Sequence, residues 1–340
     1  YRWSMAAYAL MWTCVYLMQK SSYNNHYYLM MLLCWMMVFF PANRYLSLDA
    51  KWIPNFKKYS MPRWVSMVFI AQIWIVFTYA SIAKMYPQWL DASVPALFMK
   101  GKKSYWLIGE LLQQGWVHYG IAYVGILFDL IIIPLFLWKR TRVLAFCLSL
   151  FFHFFVFQVG IFPYMSIAFA LFFFTPETLI KRFRLKRPVF KSDEVIIPKY
   201  KTLGITIFSI YFLFQIGLPL RHWFIKDDVL WTEEGHRLSW RMMLRSRSGQ
   251  LIYWVENKET GERNNYPYLP LLSSDQIKSV KTKPDFIWQM AQRIKNMEAE
   301  KGNDVAVYVT CKVKINQGTY HTFIDPEVDI SSQKWNHFKH

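Results

Sequence analysis

Long apolar runs separated by short polar loops occupy the first 219 positions of the chain. A helix needs about 20 predominantly apolar residues to cross a bilayer. The stretch from Val143 to Thr175 is too long for one span, and Gly160 and Pro163 predict a break inside it. Some runs are short, so one or two could be re-entrant rather than spanning. The pattern predicts seven membrane segments, at residues 3–19, 27–41, 65–83, 117–138, 143–159, 162–175 and 203–219.

The pattern changes after position 219. The stretch "SWRMMLRSRSGQLIYWVENKETG" predicts two strands around a turn at Ser248-Gly249, and "PDFIWQMAQRIKNMEAEKG" predicts a helix from Pro284. "DVAVYVTCKVKI" alternates with period two, which is typical of a half-buried strand, and "NQG" turns into "TYHTFID". The expected fold is an integral membrane, mainly α protein. A polytopic helical bundle over 1–219 precedes a small extramembrane α+β domain with antiparallel strands over 220–340. Since an apolar run begins at once, we also expect that the N-terminus is truncated.

The distribution of charge predicts the orientation. Lysine and arginine favour cytoplasmic loops, and sixteen of them lie in loops 42–64, 139–142 and 176–202, against four in 20–26 and 85–116. Residues after about Pro219 are therefore predicted to lie on the non-cytoplasmic side.

The formal net charge of +18 is for the most part this topology signal. The tail from Leu220 holds 18 basic and 15 acidic residues. Contact with anionic membrane lipid explains the loop charge, and no nucleic-acid partner is predicted. The four cysteines have no metal-type spacing, so no metal site is predicted.

Several chemically capable side chains share the predicted non-cytoplasmic side. Asn25 and His26 begin the second segment, Lys84 ends the third in "YASIAKMYPQWL", and His222 follows the last. Each also has a structural interpretation. A lysine at a helix end can reach towards water, a histidine can cap a helix, and a histidine beside a tryptophan fits an interfacial belt.

A buried Lys84 would be different, because an amine buried without a carboxylate partner favours its neutral, basic form. No acidic residue lies near Lys84 in the sequence before Asp91. Asp129 and His153 lie inside predicted spans, where ionisable groups either pair or have a function. For Asp129 a tyrosine or histidine partner is expected, and for His153 an interhelical hydrogen bond. Both residues would also suit a proton-coupled transporter, although no inverted repeat is visible.

Seven stretches, in this order, resemble the vitamin K-dependent γ-glutamyl carboxylases and their bacterial homologues along nearly the whole chain: "NNHYYL", "PANRYLSLD", "AKMYPQW", "GILFDL", "VGIFPYMS", "LSWRMMLRSRS" and "IDPEVDI". The resemblance implies a lyase that couples oxygenation of vitamin K hydroquinone to its epoxide with γ-carboxylation of protein glutamate. It implies O2 and CO2 as co-substrates and no metal, biotin or ATP. It also implies a bacterial inner membrane or endoplasmic reticulum membrane, with a glutamate-containing protein or peptide as partner.

The resemblance also implies roles for individual residues. Lys84 would be the catalytic base. Cofactor binding would fall to Asn25, His26, His222 and an aromatic wall of Phe162 and Tyr164. Arg245 and Arg247 would attract the substrate carboxylate; otherwise they belong to a solvated strand face.

Some residues depart from the family pattern. His153 stands where the family has asparagine, Leu150 stands where it has histidine, and Arg241 replaces an acidic residue of the animal enzymes. The alternatives are therefore a non-carboxylating quinone-binding or epoxidase homologue, a non-catalytic membrane protein with the same fold, or a transporter or lipid-binding protein that uses the same cavity.

Overall fold

The computed structural model describes residues 1–45, 47–58, 61–153, 162–174, 176–182, 201–242 and 244–335, without the side chains at 162, 163, 176, 177 and 180. Within these residues the chain forms two compact units. Tyr1–Tyr86, Gly120–Leu220 and Leu238–Met242 make up the first unit. Pro87–Tyr119, Arg221–Arg237 and Met243–His340 make up the second.

The first unit is helical. Its helices are α1 (Arg2–Met18), α2 (Asn25–Phe39), α3 (Leu48–Trp52), α4 (Arg63–Ala83), α7 (Gly115–Leu137), α8 (Arg142–Phe151), α9 (Phe162–Ala170), α10 (Pro176–Arg182) and α11 (Lys201–Leu220). The first residues of α7, up to Tyr119, cluster with the second unit.

Within the part of the chain that the structure describes, three helices are long and apolar enough to cross a membrane: Arg63–Ala83, Gly115–Leu137 and Lys201–Phe224. They coincide with three of the seven predicted segments. Shorter apolar helices at Asn25–Phe39, Arg142–Phe151 and Tyr164–Phe173 coincide with three more, and α1 covers the first. A mainly helical membrane protein is thereby supported, while the full seven-segment bundle stays a prediction. The break predicted at Gly160 lies outside the described residues.

The core of this unit contains aromatic and branched side chains from α2, α4, α7 and α9. Phe40, Phe69, Ile132, Phe173 and Trp240 are members that are at most 6% exposed. Trp240 belongs to a short segment, Leu238–Met242, that follows the last span in sequence yet packs in the first unit.

The second unit contains a sheet of four antiparallel strands: β1 (Arg247–Asn257), β2 (Arg263–Tyr266), β3 (Val305–Ile315) and β4 (His321–Ile324), in the order β2-β1-β3-β4. Its helices are α5 (Pro87–Leu90), α6 (Ser93–Lys100), α12 (Val229–Thr232), α13 (Ser274–Val280) and α14 (Pro284–Glu300). The predicted α+β tail with its helix at Pro284 and its alternating strand is confirmed. The boundary predicted at 219/220 remains a prediction, although 87–119 clusters with the tail.

Amphipathic periodicity explains this second core. Ile287, Met290, Ala291 and Ile294 recur at i, i+3, i+4 and i+7 on α14 and are all buried. They form one cluster with the inward side chains of β3, which are buried at every second position from Val305 to Val313.

The turn predicted at Ser248-Gly249 is wrong, because both residues lie inside β1, which pairs continuously with β3 from Arg247 to Asn257. A close approach of another backbone segment explains the glycine at this position. A Cβ at Gly249 would lie 1.7 Å from the carbonyl oxygen of Lys281. Glycine in a strand marks such a close backbone approach as well as a turn.

Candidate functional site

Lys84 is buried at the end of α4, where only 7% of the residue is exposed. Its Nζ donates a hydrogen bond to Oδ2 of Asp129 on α7, which is 4% exposed. One turn earlier on both helices, the Ser81 hydroxyl donates to the carbonyl oxygen of Ile126 at 3.0 Å. This second bond holds the two helices together beside the ion pair.

The ion pair corrects one expectation and adds a partner that the sequence did not predict. Lys84 has a carboxylate partner, which is distant in sequence, and Asp129 pairs with a lysine rather than with a tyrosine or histidine. Sequence reasoning treated the two residues separately. The available signal was that each is an ionisable residue of opposite charge in or at the end of a predicted span, where such groups usually pair.

His153 is the third ionisable group of this cluster. It is 5% exposed and interacts electrostatically with both Lys84 and His26. Its ring lies 6.2 Å from that of Phe77, 5.7 Å from Phe128 and 5.6 Å from Phe152. The titratable cluster therefore has an aromatic boundary that the sequence did not predict, although Phe77 and Lys84 share a helix face at i, i+7.

Asn25 and His26 are both buried in the first turn of α2, 9% exposed each. The Asn24 side chain caps the helix by accepting from the His26 backbone N–H at 2.7 Å. Asn25 donates from Nδ2 to the Arg241 carbonyl oxygen at 2.9 Å and accepts from the Tyr23 hydroxyl at 2.8 Å. These bonds leave its amide one further N–H for a ligand.

The Leu238–Met242 segment is therefore fastened to α2. The Tyr23 hydroxyl also accepts from the backbone N–H of Leu238 at 2.6 Å, and Trp240 stacks on Tyr28 with ring centroids 4.9 Å apart. Leu238 and Trp240 have φ values of +59° and +56°, which a non-glycine residue adopts at an energetic cost. The contacts to Tyr23, Asn25 and Tyr28 offset that cost.

The predicted aromatic wall of Phe162 and Tyr164 stays a prediction. Tyr164, near the start of α9, is 66% exposed, and the side chain of Phe162 lies outside the described residues. An apolar cavity of about 20 Å³ lies between α4, α7, α8 and α9 and is lined by Phe77, Ile133, Ser149, Ser166 and Phe173 among others. That volume holds about one water molecule and no quinone ring.

Arg245 and Arg247 belong to the second unit and are not on a solvated face. The Arg245 guanidinium donates to Glu233, and its side chain is 6% exposed. Arg247, 7% exposed at its side chain, donates to the carbonyl oxygens of Leu230, Trp231 and Thr282. Burial lowers the pKa of Arg247 to about 10, and Glu233 opposes this shift. An incoming carboxylate would have to compete with these partners.

His222 also lies in the second unit, in a 3-10 turn at Arg221–Phe224. Gly235, with φ of +71°, lies against it so closely that a Cβ would come within 2.7 Å of the His222 Cβ. A cavity of about 440 Å³ lies beside this turn, lined by both charge signs, including Arg221, Glu233, Arg237 and Asp285. Among the residues that the structure describes, no three His, Cys, Asp or Glu side chains are placed to hold a metal ion.

Two family models together match most of the chain. The HTTM domain model matches residues 1–177. The model described as "Vitamin K-dependent gamma-carboxylase, lumenal domain" matches residues 200–340. No solved structure matches the chain. The two matches follow each other in the order that the resemblance predicted, and the chain belongs to the vitamin K-dependent γ-glutamyl carboxylase family.

Proposed function

We propose that this protein couples oxygenation of vitamin K hydroquinone to γ-carboxylation of protein glutamate, with Lys84 as the base. The observation that carries the proposal is the buried Lys84–Asp129 pair, with His153 and His26 in electrostatic reach. Four ionisable groups from four parts of the chain converge in an apolar helical unit. Such a convergence is expensive in a membrane and is characteristic of functional sites.

The donor chemistry of this cluster fits a hydroquinone. An amine, two imidazoles and the remaining N–H of Asn25 can bind and orient phenolic oxygens, and the phenylalanine rings around His153 keep water out. When bound, reduced vitamin K supplies the acidic hydroxyl and the electrons that O2 accepts. The residues of this chain hold it and move its proton.

Asp129 positions the Lys84 side chain and can accept its proton. As an ammonium, Lys84 cannot accept a further proton at Nζ. If the shared proton resides on Oδ2 of Asp129, Nζ is neutral and can take the hydroxyl proton. The pair thus lets a buried lysine act as a general base without losing its partner.

For orientation we propose that the tail and the 85–116 segment are non-cytoplasmic. The asymmetry of loop charges supports this, as does the description of the matched tail model as lumenal. An impermeant thiol reagent that labels an Asn264→Cys variant only from the cytoplasmic side would overturn it. The identity of the membrane, bacterial inner or endoplasmic reticulum, belongs to the same proposal.

The experiment uses the full chain in nanodiscs with vitamin K hydroquinone, O2, labelled bicarbonate and glutamate-containing peptides. Epoxide and fixed label are both expected from the wild type, neither from Lys84→Ala, and both from Lys278→Ala, whose side chain is 79% exposed. Epoxide without label would establish the non-carboxylating alternative. Neither product from folded wild-type protein, with several peptides, would overturn the proposal and favour a non-catalytic or transporting homologue.

A further inference from the structure

The second unit has an exposed apolar tip, formed by Trp106 and Leu107. Trp106 and Leu107 are 96% and 80% exposed, although the turn that carries them is well ordered by hydrogen bonds. Large apolar side chains exposed together usually mark a surface that contacts a partner or a membrane.

The turn that presents this tip is tightly closed. The Gly109 N–H donates to the Tyr105 carbonyl oxygen at 2.8 Å, and a Cβ at Gly109 would lie 2.0 Å from the carbonyl oxygen of Lys103. The Gln113 side chain donates to the carbonyl oxygens of Met99 at 2.9 Å and Gly109 at 3.2 Å. The exposure of Trp106 and Leu107 is therefore a property of a fixed turn.

The chain on both sides of the tip belongs to membrane-spanning candidates. The tip lies in the segment 84–114, which is joined to Arg63–Ala83 before it and to Gly115–Leu137 after it. Trp116 and Tyr119, in the first turns of the second of these helices, are 70% and 51% exposed. Tryptophan and tyrosine concentrate where a spanning helix meets the headgroups, so the segment ends at that level.

The charge around the tip fits a phospholipid surface. Lys100 ends α6 and is exposed, and Lys103 is exposed in the turn. Ammonium groups bind headgroup phosphates, and an indole ring lies between headgroups and acyl chains because one edge is polar and the rest apolar.

We propose that the Trp106–Leu107 tip inserts into the interface of the protein's own membrane and anchors the second unit to the bilayer. The lysines contact the phosphates and the two apolar side chains enter the upper acyl region. The partner is a phospholipid bilayer rather than a second protein, because the flanking helices bring the segment to its surface.

The test places a fluorescent thiol probe at three positions of the full chain in phosphatidylcholine–phosphatidylglycerol nanodiscs. The exposed Cys14 and Cys147 are first replaced by serine; Cys34 and Cys311 are buried. Trp106→Cys tests the tip, Leu213→Cys, 71% exposed on α11, is the lipid reference, and Asn264→Cys on β2 is the aqueous reference. None of the three substitutions removes a buried side chain.

The probe at 106 is expected to be quenched several-fold more by lipid with a nitroxide near the headgroup than by aqueous iodide. The probe at 264 should show the reverse, and the probe at 213 should prefer nitroxides deeper in the chain. Lys100→Glu with Lys103→Glu should weaken lipid quenching at 106. A probe at 106 that behaves like the one at 264 overturns the proposal. A probe at 106 that is shielded from both quenchers, in a particle whose mass is that of two copies, also overturns the proposal, because a second chain then covers the tip.

Discussion

Replacing Lys84 and Asp129, singly and together, separates the stability of the ion pair from its chemistry. Lys84→Met leaves a buried carboxylate without its partner, and Asp129→Leu leaves a buried ammonium. Breaking one side of a buried pair costs about 3–5 kcal/mol, whereas replacing both charges by apolar groups is often neutral or stabilising.

The geometry predicts an asymmetry between the single variants. Lys84 lies at the last turn of α4, so its long side chain can turn towards the interface when Asp129 is lost. Asp129 lies inside α7 and has no such reach. We therefore expect Lys84→Met to cost about 3 kcal/mol and Asp129→Leu less, and the double variant to return near the wild type. When the double variant equals the wild type, the magnitude of the coupling free energy is the sum of the two single costs, and it should lie between about 3 and 6 kcal/mol.

Activity should not follow stability in this series. If Nζ of Lys84 is the base, the double variant stays inactive in the epoxide assay although its stability is restored. Unfolding is measured by reversible denaturation in mixed micelles, or as thermal half-lives where unfolding is irreversible. The exposed Lys258–Asp304 pair, 44% and 65% exposed at the side chains, provides the control, and Lys258→Met should change little.

Two results would refute this reasoning. A coupling free energy near zero would mean that Lys84 and Asp129 do not interact in the folded protein. Epoxidation by the stable double variant would mean that the lysine has no part in proton transfer. The first result would disprove the ion pair itself, and the second would disprove only its proposed role in proton transfer.

Further changes test other contacts, each by unfolding of the purified full chain. Gly235→Ala should lower Tm clearly more than Gly261→Ala, because both have φ near +70° and only the first meets His222; equal losses would contradict this contact. Trp240→Ala should cost about 3–5 kcal/mol, since the ring is fully buried, and a cost below that of an exposed site would disprove the packing. Burial acts to raise the pKa of Asp329, but hydrogen bonds from Ser331 and from two backbone N–H groups hold it below its usual value. Its stabilising effect is therefore present above about pH 4 and lost as pH falls through the lower folded value. The stability gap to Asp329→Asn should narrow in acid, and a constant gap would refute the assignment.

Periodicity was sufficient to predict much of the fold because it reports local burial. The i, i+3, i+4, i+7 pattern on α14 and the alternation on β3 each identify the buried face without knowledge of the partner. Gly249 shows the limit of such reasoning. A glycine in a β pattern fits a turn or a close backbone approach equally well, and the approach comes from Lys281, 32 positions later.

The sequence identified candidate residues but not their arrangement. Lys84, His26 and Asn25 are buried as a functional interpretation requires, yet the partners of Lys84 and Asn25 lie 45 and 216 positions away. Arg245 illustrates the opposite case. Its side chain suits a substrate carboxylate, but Glu233, twelve residues earlier, already occupies it.

A buried ion pair is a poor device for joining two helices. Apolar side chains of similar size at Lys84 and Asp129 would hold α4 against α7 at least as well, because neither would have to lose its hydration. The hydroxyl of Ser81 and the carbonyl oxygen of Ile126 already connect the two helices one turn away. What apolar residues cannot do is carry a proton between two atoms inside a water-poor unit. The presence of both charges, beside two histidines and a ring of phenylalanines, therefore supports the proposed proton transfer more than a role in stability.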